Sequence, residues 1–392
     1  MSDLREMLTR AFEPRPVTPD VRSRRERLRE FIRAHEARVY DVTHPSAGAV
    51  RTLLGWDDET MAAFVDSPLL CQSSPHAGMN SFPPMLAFPW MLGRAVQLAQ
   101  ERHGIPAVHL RTQCTHHDFN DTFAKPHAWW HRTPDGAVVK THLFARMPIK
   151  YHPILSKAAP VLDHESLHRV DRDAVELAEL GTNYAYYCVI YRAFLERVAG
   201  FHVPHRTVEV PIDLLNRFTI NETGLLRWFD ILAAAGLTLR LERDNAPMTV
   251  LTRADAEVLA SMETPWPERA VIAPNRVNFA QFYRIGLSLM LGGRAMAAYV
   301  PEMNAEIDRF ATEIAGWTCA PPSFFPFTRV PFVELLELEQ EAARCQGEWG
   351  ISTSLSLVAS AVGGQAAERL EPMLAMDYGE LFDRSLVGQG AK

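Results

Sequence analysis

Apolar residues in this chain fall into short runs separated by stretches with helical spacing. "PLLCQ", residues 68–72, is a short continuous apolar run of the length of a buried strand, and "IPAVHLRTQC", residues 105–114, is a second. Between them, Pro84–His103 carries apolar residues at helical spacing, with Pro89 tolerated in its first turns and Gly104 placed to close it. A strand, a small-residue turn, a helix and a strand in that order predict a βαβ unit, whose two strands run parallel.

The remaining pattern adds elements around this unit. Residues 1–35 predict one or two helices, broken at Pro14, Pro16 and Pro19. "VTHPSAGAVRTLLG" predicts a turn and a short helix, and "DDETMAAFVDS" a helix with an acidic first turn. "WWHRTPDGAVVKTHLFA" predicts a hairpin around Pro134-Asp135-Gly136, and Asp171–Gly200 a helix. "HRTVEVPIDLL" predicts a strand, "TGLLRWFDILAAAG" a helix, and "LTLRLERDNAPMTVLT" a second hairpin turning near Asp244-Asn245. A short helix in "RADAEVLASM" precedes a Pro-rich connector at 265–274. From Asn278 to Gly316 the pattern predicts two helical segments interrupted by Gly292-Gly293, and "FVELLELEQEAARCQ" predicts a further helix. The expected fold is α/β: a Rossmann-like parallel sheet flanked by helices, with an N-terminal helical segment and helical and hairpin insertions. The expected division is an N-terminal segment at 1–62, a core at 63–345 and a C-terminal helical segment at 346–392.

Composition narrows the partners. A net charge of −7 argues against a nucleic-acid backbone, which calls for a basic face. "RSRRERLREFIR", Arg22–Arg33, is basic, but Glu26 and Glu30 interrupt it at helical spacing, so it reads as a solvated helix face. Five scattered cysteines, at 71, 114, 188, 319 and 345, form no CxxC pair and predict reduced thiols in a cytoplasm. No apolar run approaches the ~18 residues of a membrane span, and "MSDLREMLTR" lacks the apolar core of a signal peptide. The expectation is a soluble cytoplasmic protein that acts on small molecules, with a homodimer as its candidate assembly.

Candidate chemistry gathers where the two predicted strands end. "CQSSPHAGMNSF" carries Ser74, His76, Gly78 and Asn80 between a strand and a helix. There Gly78 admits close backbone approach and the free N–H groups of the helix favour an anion. His76 is placed to donate to a phosphate and to stabilise developing charge. "CTHHDFNDTF" carries His116, His117 and Asp118, and two readings of it stay open. In one, His117 is a general acid or base for a substrate amine, with Asp118 orienting it or binding an ammonium group. In the other, His116 and Asp118 hold iron or zinc together with a distal histidine such as His76. Ten of the fifteen histidines lie between His103 and His168, which keeps the metal reading in view. In "LMLGGRAMAAYVPEM", Gly292 and Gly293 form a candidate backbone nest for a phosphate or carboxylate, with Arg294 adding charge. The cofactor stays unknown, with ATP or another nucleotide as a candidate and a metal in the second reading.

Taken together, these loops resemble the bacillithiol-pathway cysteine-adding enzymes, which have a Rossmann-like core related to the nucleotidylyltransferase group. The resemblance runs over about residues 65–335. It rests on Gly78 in the turn after the first strand, on His117-Asp118-Phe119, on Gly292-Gly293 with Tyr299, and on "APPSFFPFTRV" ending at Arg329. The family's two turn glutamines are Pro75 and His76 here, and the proline and glutamate after its paired glycines are Arg294 and Met296. Its long C-terminal coiled-coil segment is missing. The chain therefore reads as a divergent, shortened member. The resemblance implies a ligase or transferase that joins an amino acid, with cysteine as one candidate, or an amine to a small acceptor. It implies that Tyr299 belongs to the substrate- or nucleotide-binding set with Ser74, Gly78, Asn80, Gly292, Gly293 and Arg294. A homologue that binds small molecules without catalysis is a third reading.

Overall fold

The computed structural model describes residues 14–73, 104, 107–111, 128–132, 138–142, 206–210, 212–243, 246–262, 271–318 and 320–327. The first helix, α1 (Pro19–Ala34), starts where Thr18 accepts a hydrogen bond from the Val21 N–H and Pro19 occupies the first turn. It buries Leu28, Phe31 and Ile32. Two short helices follow, α2 (Ala47–Leu53) and α3 (Asp58–Asp66). Asp57 caps α3 by accepting from the Thr60 N–H at 2.9 Å, and acidic residues fill its first turn as its sequence predicts. The chain then enters β1 (Leu69–Ser73).

The central sheet holds β1, β2 (Ala107–Arg111), β5 (Thr207–Glu209), β9 (Leu289–Gly293) and β10 (Ser323–Phe327), in the order β10-β9-β1-β2-β5. Every neighbouring pair is parallel. Numbered among themselves, these strands run 3-2-1-4-5, the order of a doubly wound Rossmann-like sheet. The two strands of the predicted βαβ unit are parallel neighbours as expected, with Leu69 opposite Ala107 and Gln72 opposite Leu110. The order reverses between β1 and β9, where Gln72 lies opposite Met290 and Ser73 opposite Leu291.

The two predicted hairpins are present. One is β3 (Ala128–Arg132) against β4 (Val138–His142), the other β6 (Arg240–Arg243) against β7 (Ala246–Val250). Three expectations are corrected. The strand in "HRTVEVPIDLL" stops at Glu209, and from Ile212 the chain is helical: α4 (Ile212–Thr223), then α5 (Leu225–Ala234). The connector at 265–274 contributes β8 (Val271–Ile272), which pairs antiparallel with β6 after α6 (Arg253–Ala260). Gly292-Gly293 do not separate two helices. They end β9, which lies between α7 (Asn275–Arg284) and α8 (Arg294–Arg309). A strand hydrogen-bonded on both sides is buried on both faces and reads as a continuous apolar run, which is why "LSLML" merged with its helical neighbours. The helices expected at 84–103, 171–200 and 332–346 lie outside the described residues.

Arg25 corrects the reading of a wholly solvated basic face. It is 1% exposed and donates to five carbonyls. Its Nη1 reaches Phe64 O at 3.1 Å, Val65 O at 3.4 Å and Ser67 O at 2.7 Å, all at the end of α3. Its Nε reaches Ile285 O at 2.7 Å and its Nη2 reaches Gly286 O at 3.0 Å, both at the end of α7. One guanidinium thus satisfies orphan carbonyls at two helix C-termini and complements both dipoles. Those two helices deliver the chain into β1 and β9, so Arg25 sets the entry of both strands that flank the reversal. Gly286, at φ +74°, leaves the room: a Cβ there would lie 2.7 Å from Val21 Cγ1 and 3.1 Å from Arg25 Nη2. Further along, α4 and α7 are joined by a buried amide network. Asn216 Nδ2 donates to Asn278 Oδ1 at 3.3 Å, Gln281 Nε2 donates to Asn278 Oδ1 at 3.2 Å, and Thr219 donates to Gln281 Oε1. All four side chains are buried and paired, which makes this a structural lock.

Candidate functional site

Strand C-termini define the working edge of a parallel sheet, and ligands bind at that edge where the strand order reverses. Here the edge is formed by Ser73 of β1, Arg111 of β2, Glu209 of β5 and Gly293 of β9. Ser74, His76, Gly78 and Asn80 follow β1 directly, and His116, His117 and Asp118 follow β2 within seven residues; both loops lie outside the described residues. The parallel pairing of β1 and β2 nevertheless makes both loops leave from the same edge of the sheet.

Gly292 and Gly293 belong to this edge too. They are the last residues of β9, opposite Pro326 and Phe327 of β10, and Arg294 is the first residue of α8. The strand passes into the helix with no intervening loop. The N–H groups of the first turn of α8, which have no partner within the helix, and the positive end of its dipole therefore stand at the edge beside β1. Tyr299 lies further along α8, 46% exposed, with its hydroxyl pKa raised by partial desolvation.

Two polar features of this edge have only faint signals in the sequence. The first is a buried ion pair, Arg111 Nη1 to Glu209 Oε1 at 3.1 Å, joining the ends of β2 and β5. Two residues down the same face, His109 is 2% exposed and its Nδ1 lies 3.3 Å from Thr207 Oγ1. Burial, followed by the charge of Arg111, pushes the His109 imidazole down to about 3, so it is neutral at physiological pH. Cys71, opposite His109 in register, is fully buried, and desolvation raises its thiol pKa far above neutrality. It is an inert thiol. The second feature is Gln72, the penultimate residue of β1. It is 0% exposed, and neither its Nε2 nor its Oε1 has a hydrogen-bond partner among the described residues.

Chemically, the edge combines a helix N-terminus for an anion, a neutral amide below it and an ion pair to one side. Among the described residues no group of three or more His, Cys, Asp or Glu stands close enough to hold a metal ion, and His76, His116 and Asp118 lie outside them. Nor is any helix among the described residues long and apolar enough to cross a membrane. No protein-family model matches the chain, and no curated protein matches its sequence.

Proposed function

We propose that the chain is an enzyme of small-molecule metabolism, a ligase or transferase that condenses an amino acid or amine with a small acceptor. The reaction centre is the edge where β1, β2 and β9 end. The observation that carries this reading is the parallel pairing of those three strands, because it gives three separate sequence motifs a common origin. The start of α8, with Gly292, Gly293 and Arg294, takes a phosphate or carboxylate. Ser74, His76, Gly78 and Asn80 bind the anionic or activated group of the acceptor. His117 takes the proton that an ammonium group must lose before its nitrogen attacks, and Asp118 orients that group. Cysteine is the first amino acid to test, on the resemblance to the cysteine-adding enzymes.

The test incubates the purified full chain with cysteine, ATP and magnesium against a panel of small amines and carboxylic acids, and follows cysteine adducts by mass. A His117→Ala variant is expected to lower the initial rate roughly 10²- to 10⁴-fold, the usual worth of a positioned general base. Equal rates for the variant and the parent chain would remove His117 from the chemistry. An absence of adduct with every acceptor, cysteine and the other amino acids included, would count against the ligase reading as a whole.

A further inference from the structure

Among the described residues the carboxamide of Gln72 has no partner, which sets it apart from the other buried amides described, since Asn216, Asn278 and Gln281 are all satisfied. Burying an amide without partners costs stability, so its retention at a strand end calls for a physical reason. Its place supplies one. Gln72 lies in the row of Leu110 and Met290. Side chains alternate along a strand, so Gln72 shares a face with Met290 and, one step nearer the edge, with Gly292. Nothing larger than hydrogen projects from Gly292 on the path between Gln72 and the start of α8.

We propose that Gln72 reads the base of an adenine nucleotide whose phosphates rest on the N-terminus of α8. Two arguments select this ligand. Gln72 is fully buried beside the apolar Leu110 and Met290, where a neutral partner offering one donor and one acceptor costs far less to bring in than an ion. The N6 amino group and N7 of adenine offer that pair, and a primary amide binds them in a bidentate manner. The second argument is distance. Four residue steps lead from Met290 to Arg294, so at ~3.3 Å per residue and ~4.8 Å between strands the two features stand about 14 Å apart. An α-amino acid, whose ammonium and carboxylate share one carbon, cannot bridge that gap. A nucleotide, with base and phosphates at opposite ends of a ribose, can. Gln72 is covered in the unliganded chain, so binding of the base requires its carboxamide to be uncovered.

This inference rests on the reading of α8 as an anion site and deepens it. Calorimetric titrations of the full chain and of Gln72→Leu with ATP, purine riboside triphosphate and inorganic tripolyphosphate test it. The parent chain is expected to prefer ATP to purine riboside triphosphate, which lacks the 6-amino group. Gln72→Leu is expected to weaken ATP roughly 5- to 140-fold, the range of one bidentate amide–adenine contact. Tripolyphosphate affinity stays the same in both, and the unliganded variant melts no lower than the parent, since an unpaired buried amide has been removed. Should Gln72→Leu fail to fold, Gln72→Met replaces it. Equal ATP affinities in parent and variant, or an unchanged affinity on loss of the 6-amino group, overturn the proposal. So does a parent chain that binds tripolyphosphate but gains nothing from the base. The adduct assay scores the ligase reading separately: adducts formed without discrimination of ATP would sink the role of Gln72 and leave the ligase standing.

Discussion

Replacing Arg25 by methionine keeps most of the side-chain volume and removes all five donated hydrogen bonds. Three of these are 3.0 Å or shorter, to Ser67, Ile285 and Gly286. Hydrogen bonds from a charged donor are each worth roughly 1.5–3 kcal/mol, so the three strongest sum to about 5–9 kcal/mol if independent. They are not independent, because all leave one guanidinium, and removing it also removes the cost of burying a cation. That cost is evident in the guanidinium itself, whose pKa burial pushes down to about 10, still cationic at neutral pH. Stripping one partner from a buried charged contact typically costs about 3–5 kcal/mol, and a loss of about 4 kcal/mol is expected here. Against a total stability of roughly 5–15 kcal/mol such a loss is severe. Arg25→Lys keeps the charge but cannot reach two helix ends at once, so it should recover less than half. Urea unfolding followed by circular dichroism measures both, with the slope held common to parent and variants. Hydrogen exchange should show amide protection falling in β1 and β9 together. A loss below about 1 kcal/mol for Arg25→Met, or full recovery by lysine, would refute the view that one guanidinium ties the two helix ends.

Three further outcomes follow from particular contacts. His109 is neutral when folded and its pKa is pushed down to about 3, whereas an unfolded histidine titrates near 6.5. Between those values the unfolded chain binds the extra proton, so stability is lost as pH falls below about 6.5, at up to about 1.4 kcal/mol per pH unit. His109→Gln should flatten that slope in denaturant titrations at pH 7, 5.5 and 4.5, and an unaltered slope would exclude His109 as its source. Gly55→Ala places a Cβ 1.8 Å from Thr207 O at φ +69°, a strained conformation and a backbone clash together. It should cost roughly 3 kcal/mol or more, while Gly48→Ala, with nothing within 4 Å, should be neutral or mildly stabilising. Equal melting temperatures for the two variants would disprove the close approach. Arg294→Ala should weaken tripolyphosphate binding roughly tenfold, the worth of one charge-assisted contact, without shifting the melting temperature; unchanged binding would place the anion elsewhere.

How much of this was legible in the sequence depended on how each element is buried. The parallel pair β1–β2 and both hairpins were readable, because a compact apolar run or a Gly- or Asn-bearing turn marks each boundary. β9 was hidden because an apolar run between helical patterns has no period of its own. β10 carries Pro326 as its penultimate residue, which weakens its strand signal; it is tolerated there because, among the described residues, β10 lies at one end of the sheet. Arg25 left a trace that the charge pattern obscured: it is spaced three and seven residues before Leu28 and Ile32, on the buried stripe of α1. For the site, the motifs were legible but not their junctions. Gly292-Gly293 signalled a backbone device correctly and its surroundings incorrectly, since only the pairing of β9 with β1 brings it beside the first loop. Gln72 sat in plain view at the end of "PLLCQ", but a single polar residue closing a strand cannot be told from an ordinary edge residue until its burial is known.

The two ends of the sheet bear on how copies of this chain can meet. At β5, the segment after α2 is laid alongside: the Glu209 N–H donates to Leu54 O at 2.9 Å, and Trp56 Nε1 donates to Glu209 O at 2.8 Å. At β10, Pro326 offers no N–H to an incoming strand. Among the described residues, a second molecule laid strand-to-strand against β5 would find the positions at Glu209 taken, and one laid against β10 would find the Pro326 donor missing, so each border is partly closed to an incoming strand. A contact made through helical surfaces would leave the strands of the working edge undisturbed, so mutations there can tune association without altering that edge.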